Sequence, residues 1–206
     1  FVIYFTGLKK NGFFLEIGAG DGVNISNTFV LEKNLSWSGI VCGIIGLLAR
    51  TDEVRARLGE LVTPMVTCMG TRGPDSAGLA IFHTPLDNGD RRYGFFHADH
   101  DFDWPSFHDD FSSQVASQLE CRSLENHAAT VSSASPGDVK EWLSRCYPAV
   151  HLLSVGRSIE VYKDEGHPQQ LADRYQFTSL TGSHVIAHIA LEELGLRLLK
   201  DQSHPA

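Results

Sequence analysis

The sequence predicts an α/β protein with layered sheets. Three observations carry that expectation. Short apolar runs at 13–17, 40–49, 79–82 and 183–191 read as strands. Segments 51–69 and 136–148 carry apolar residues at helical spacing. Clusters rich in Gly, Pro, Asn and Asp separate the two kinds of segment. A chain of 206 residues allows one domain, or one domain with a small second piece. Hydrophobic residues make up 42% and charged residues 20%, so a buried core is expected rather than disorder. The net charge of -8 argues against a binder of nucleic-acid backbones. No apolar run approaches the roughly 20 residues of a membrane span. The opening FVIYFTGLKKNGFF lacks the order of a signal peptide. Cys42, Cys68, Cys121 and Cys146 form no CxxC pair, which suggests reduced thiols and a cytoplasmic setting.

In chain order, FFLEI (13–17) predicts a buried strand that enters the Gly-rich turn GAGDG. Residues 24–35 predict a helix with Phe29, Val30 and Leu31 inward, and Gly39 ends the unit. Residues 1–40 hold three Lys and three acidic residues, so the whole negative charge lies beyond them. A domain boundary is therefore placed at residue 40. IVCGIIGLLA (40–49) is the next strand. The helix over 51–69 has Asp52 and Glu53 in its first turn, and Pro64 is expected to kink or split it. LAIF (79–82) is a strand, and HTPLDNGDRRYG reads as a hairpin-like turn around Asn88-Gly89. Residues 97–110 pack five Asp and three His. Residues 111–133 read as weakly helical, and 136–148 as a short helix opened by Pro-Gly-Asp. AVHLLSVG and RSIEVYKDEG read as strand, turn and strand, HPQQLADRYQF as helix, and SHVIAHIAL as strand.

Chemistry concentrates where VCGIIGL (41–47) is followed about 25 residues later by MGTRGPDSAGLAIF (69–82). This pairing resembles the class II, N-terminal-nucleophile glutamine amidotransferases. The nearest likeness is to amidotransferase-like subunits related to glutamate synthase and methylglutamate synthase. It continues at RSIEVYKDEGHPQQLADRYQF and TGSHVIAH, covering most of 41–188. The resemblance implies an αββα sandwich over 41–189, incomplete here, with an appended N-terminal βα unit and an unassigned tail over 190–206. It implies that Cys42 is the catalytic nucleophile. Arg72, Gly73, Asp75 and His188 are assigned to substrate binding, with Arg72 in the loop that shapes the pocket. Gly43 and Gly46 would allow close backbone approach. The implied activity is hydrolysis of glutamine to glutamate and ammonia, with the ammonia handed to a synthase partner and no cofactor required.

The chain departs from the family pattern in three places. Cys42 is not the first residue, so its α-nitrogen is an amide and cannot serve as the base. Cleavage before Cys42, or a start at Val41 with removal of the initiator, would free it. The family's His-Thr-Arg is His188-Ile189-Ala190 here, without the Arg that grips the glutamine carboxylate. The later Asn-Gly pair and Asp have no counterpart before Ala206. These departures predict impaired activity in the 206-residue chain.

NGFFLEIGAGDGVNISNTFVLEKNLSWSGI (11–40) resembles motif I of FkbM-type methyltransferases. The resemblance implies that Glu16, Gly18, Gly20 and Asp21 line a site for S-adenosylmethionine. Further βα units would be needed to complete that site, and 1–40 reads as a remnant. A methyltransferase fragment and a non-catalytic chimera are thus the alternative readings. His97, Asp99, His100, Asp101, Asp103 and His108 are competent metal ligands, but their spacing matches no metal signature, and no metal is expected. His184 and His188 would need a third ligand.

Overall fold

A computed structural model describes residues 13–17, 38–70, 76–87 and 89–190. In chain order these form β1 (Phe13–Ile17), β2 (Ser38–Leu48), α1 (Asp52–Ala56), α2 (Leu58–Cys68), β3 (Ser76–Phe82) and β4 (Arg91–Phe96). Then follow α3 (Trp104–Gln114), β5 (Gln118–Leu124), β6 (His127–Ser132), α4 (Pro136–Cys146), β7 (His151–Gly156) and β8 (Ile159–Glu165). Helix α5 (Pro168–Arg174), a 3-10 turn (Phe177–Ser179) and β9 (His184–Ala190) complete the described part. The predicted helix over 24–35 and the stretch after Ala190 lie outside the described residues.

The strands form two sheets, ordered β1-β2-β9-β3-β8 and β5-β6-β4-β7. All pairings are antiparallel except that of β1 with β2. β2 runs unbroken through the compositional boundary at residue 40, and β1 joins the same sheet.

In the first sheet, alternate residues Ile45, Ala77, Leu79, Ile81, Val185, Ala187 and Ile189 are buried. They pack with Leu58, Val62 and Val66 of α2 and with Leu171, Tyr175, Phe177 and Leu180. The opposite alternation set includes the exposed Ile44, Leu48 and Ile186. The second sheet lays Tyr93, Phe95 and Ala128 against Trp104, Phe107 and Phe111 of α3 and Val139, Trp142 and Leu143 of α4. Phe107 sits at the centre of this core, with ring centroids 5.0 Å from Phe95, 5.1 Å from Trp142 and 5.0 Å from Tyr147.

Helix starts follow their sequence signals. Thr51, Asp103 and Ser135 each accept a backbone N–H as N-caps, and Pro136 and Pro168 open α4 and α5 where the missing N–H costs nothing. The helix expected over 51–69 divides at Arg57, however, not at Pro64. The break docks α2: Gly59 N–H donates to Leu180 O at 2.8 Å. A Cβ on Gly59 would stand 2.1 Å from Phe177 O, so only glycine permits this approach. Pro64 stays inside the helix on its exposed side, where water can bond the carbonyl it leaves free.

Two further expectations are corrected. Gly89 does adopt a positive φ of 81°, but the turn before β4 closes no hairpin, because β3 and β4 belong to different sheets. Residues 111–133 are not a weak helix. Helix α3 ends at Gln114, and β5 and β6 form a hairpin turning at Glu125, φ 48°. β5 is an edge strand with a largely exposed, polar sequence, which hides its strand character. No helix among the described residues is long and apolar enough to cross a membrane.

Candidate functional site

Cys42 lies in the middle of β2, with strand on both sides of it. Its register partners are Ile17 on β1 and Ala190 on β9. Ala190 is in turn opposite Ser76, the first residue of β3. One cross-strand row therefore joins Cys42, Ala190 and Ser76. The next row of the same alternation set holds Ile44, His188 and Gly78. The sheet thus brings Cys42, His188 and the entry into β3 to one end of three adjacent strands.

Arg72, Gly73 and Asp75 lie outside the described residues, in the segment that leads into Ser76. Both flanks of that segment are fixed. Downstream, Ser76 is paired to β9 and β8. Upstream, Gly70 is buried so tightly that a Cβ would meet His167 Nε2 at 2.5 Å. Gly43, beside Cys42, is crossed by Met69, whose Cε occupies the place of a Cβ at 2.0 Å. The neighbour at Gly43 is thus a side chain and not the close backbone approach expected, and at Gly46 a Cβ would have open space.

His188 is solvent-accessible. Partial burial, and then the Lys163 ammonium, hold its imidazole below the ordinary value of 6.5, which favours the neutral form. Glu16 is in β1, in register with Val41, while Gly18, Gly20 and Asp21 lie outside the described residues.

No family model matches the chain. Two relatives do. One is the glutamine amidotransferase-like protein GlxB of Rhizobium meliloti (strain 1021), 32% identical over 149 residues, which cover 72% of this chain and 49% of that protein. The chain is similar to glutamine amidotransferase-like proteins. The second relative, from Methanothermobacter thermautotrophicus, is provisionally named a glutamine amidotransferase. It is 28% identical over 156 residues, 72% of this chain and 51% of that protein. Both names support a glutamine amidotransferase family. The chain spans about half the length of the curated relatives it matches. The S-adenosylmethionine reading of 11–40 gains no support from either name.

Between the sheets lies a buried polar network that sequence reading did not find. Glu160 is bonded by Arg122, by His83 Nε2 at 3.2 Å and by the Tyr162 hydroxyl at 2.9 Å. Arg122 also donates to the Tyr162 hydroxyl at 2.7 Å. Beside it, Asp164 Oδ2 accepts from Arg174 at 2.6 Å, Asn126 Nδ2 at 3.0 Å and the Tyr175 hydroxyl at 2.5 Å. The buried positions of β8 are Glu160, Tyr162 and Asp164, while Ile159, Val161 and Lys163 are half-buried. The usual apolar-inward alternation is thus inverted, and that inversion in IEVYKDE was the available signal.

These groups set the acid stability. Burial pushes the His127 imidazole down from 6.5 to about 4, outweighing the pull of Asp164 and Glu160. Its Nε2 accepts from Lys163 N at 3.2 Å, which requires a neutral ring with the proton on Nδ1. Burial would raise Glu160, but the His83 hydrogen bond and the Arg122 charge hold it at about 2, below its ordinary 4.5. Both folded values are depressed, so both contributions are full above the unfolded values and are lost as pH falls. His127 acts between about 6.5 and 4, Glu160 between about 4.5 and 2. Urea midpoints measured against pH should therefore be level above neutrality and fall in two steps, and His127→Gln should shrink the first step, to which the lowered His151 and His188 also contribute. A midpoint flat from pH 7 to 4 in the unsubstituted protein would contradict this assignment.

The acidic block takes structural roles in the described residues. Asp103 caps α3, His97 Nδ1 accepts from Asp99 N at 3.1 Å, and His100 lies 3.3 Å from Glu125. His108 is buried against Gln118 at 2.8 Å. Cys68, Cys121 and Cys146 are free and exposed.

Proposed function

We propose that this chain is the glutaminase part of a class II amidotransferase, with Cys42 as the nucleophile once its α-amino group is free. The observation that carries the reading is the row Cys42–Ala190–Ser76. Across β9, it sets the strand bearing the thiol one strand away from the strand entered from the RGPD loop. The names of both relatives support it.

A free thiol titrates at about 8.5 and an α-amino group at about 7.7–8.0, so the amine is a competent base for the thiol beside it. The thiolate adds to the side-chain carboxamide carbon of glutamine. Collapse of the tetrahedral intermediate breaks the C–N bond, and the amine returns the proton to the departing ammonia. Water then adds to the γ-glutamyl thioester, glutamate leaves, and the thiol is restored. His188 and the loop carrying Arg72, Gly73 and Asp75 bind the substrate. A synthase partner consumes the ammonia. No group in this sequence of steps requires a cofactor.

Where the family pattern has its carboxylate-gripping Arg, this chain has Ala190, the register partner of Cys42. Ala190→Arg, in a chain that begins at Cys42, is therefore expected to lower KM for glutamine about tenfold, the worth of one charge-assisted pair. Its kcat should change little. Steady-state ammonia release against glutamine concentration tests this, and an unchanged KM would separate Ala190 from the substrate carboxylate.

A further inference from the structure

A cleft of about 450 Å³ opens at the other end of the first sheet, lined by Arg55, His83, Thr84, Arg92 and the turn 181–183. Leu48, His184 and Phe82 form the cross-strand row at that end. It lies six residues along β2 from Cys42, about 20 Å at the rise of a strand. Among the described residues the cleft shares none with the proposed glutaminase site.

Its lining is cationic in a chain whose net charge is -8. Among the described residues it holds two guanidinium groups, one imidazole and three hydroxyl side chains, but no carboxylate. The Arg92 side chain reaches in from the second sheet and is only 14% exposed. Its Nε is buried without a hydrogen-bond partner among the described residues. Its ion pair is to Glu120 at 3.8 Å, and that carboxylate is 70% exposed. A largely buried guanidinium with so loose a counter-charge is short of anionic oxygen. Arg55 is held by Asp52 at 3.1 Å in an exposed pair, which costs little to exchange. Glu160 is shared: its Oε2 stands 3.2 Å from His83 Nε2, while its Oε1 is engaged by Arg122 and Tyr162.

We infer that this cleft is a binding site for a small oxyanion, the carboxylate or phosphate group of a low-molecular-weight ligand. Arg92 supplies the buried charge, Arg55 closes over the open side, and Thr84 and Thr181 offer hydroxyl donors. The inference does not rest on the glutaminase reading.

Calorimetric titration of the 206-residue protein with sodium phosphate and, separately, with sodium succinate tests it at fixed ionic strength. Saturable binding in the millimolar range is expected for at least one, and the tighter anion identifies the source. Arg92→Met should weaken that binding about tenfold or more, and Arg55→Gln, an exposed change that spares the fold, about threefold. Cys42→Ala should leave it unchanged. No saturable binding of either anion would overturn the site. So would binding that Arg55→Gln and a folded Arg92→Met both leave intact, or binding that Cys42→Ala abolishes.

Discussion

A chain that begins at Cys42 is expected to release ammonia from glutamine at least about a hundredfold faster than the 206-residue chain, because a positioned general base contributes 10²–10⁴ in rate. In the full chain the α-nitrogen of Cys42 is an amide inside a continuous strand. It carries no basic lone pair and cannot take the thiol proton. Removing residues 1–41 deletes β1 and the first residues of β2, but leaves Cys42–Leu48 paired with β9. Among the residues whose burial is described, the core cluster on this strand begins at Ile45, and all of that cluster remains in the shortened chain. Cys42→Ala in the shortened chain should abolish turnover. Continuous ammonia detection on the three proteins makes the comparison. Equal rates from the shortened and full-length chains would mean that the amine is not the base.

Asp164→Ala should be among the most damaging single changes to the fold. Three side chains converge on one oxygen of a carboxylate that is 8% exposed. Truncation leaves Asn126 and Tyr175, both buried, each short of a partner, and leaves Arg174 without its nearest anion. Removing one member of such a buried charged set costs about 3–5 kcal/mol. At roughly 2–4 °C per kcal/mol for a chain of this size, the melting temperature should fall by about 10 °C. Asp164→Asn keeps an acceptor for Tyr175 and should cost less than half as much. Thermal unfolding of both variants at pH 7 reads the difference. Equal losses would show that charge, rather than hydrogen-bond acceptance, sustains the network.

The parts of this fold legible in the sequence are those decided locally. Apolar runs named β1, β2, β3 and β9, and the Pro-Gly-Asp opening of 136–138 named α4, because burial and helix initiation act within a few residues. What was not legible depends on partners distant in the chain. Asn88-Gly89 marks a turn correctly, yet the strands it joins go to separate sheets. β5, polar because it is an edge, does not obey the pattern of a half-buried strand, and β8, though read as a strand, carries its acids on the buried face. The division at Arg57 follows from the docking of Gly59 on residues 177–180. Of the candidate site, Cys42 and His188 were found by motif, and the register brings their strands together. The anion cleft gathers residues from α1, the loop after β3, β4 and the turn before β9, and no local pattern announces it.

The central claim is that Cys42 is a nucleophile aimed at a glutamine side chain. The most direct measurement uses a glutamine analogue bearing an electrophilic carbon in place of the carboxamide, followed by peptide mass mapping. Three other thiols, Cys68, Cys121 and Cys146, are free and exposed, and serve as internal controls. In the chain that begins at Cys42, a single adduct on Cys42 is expected, suppressed by excess glutamine. Labelling spread over the exposed thiols, or a Cys42 that stays unmodified, would contradict the account.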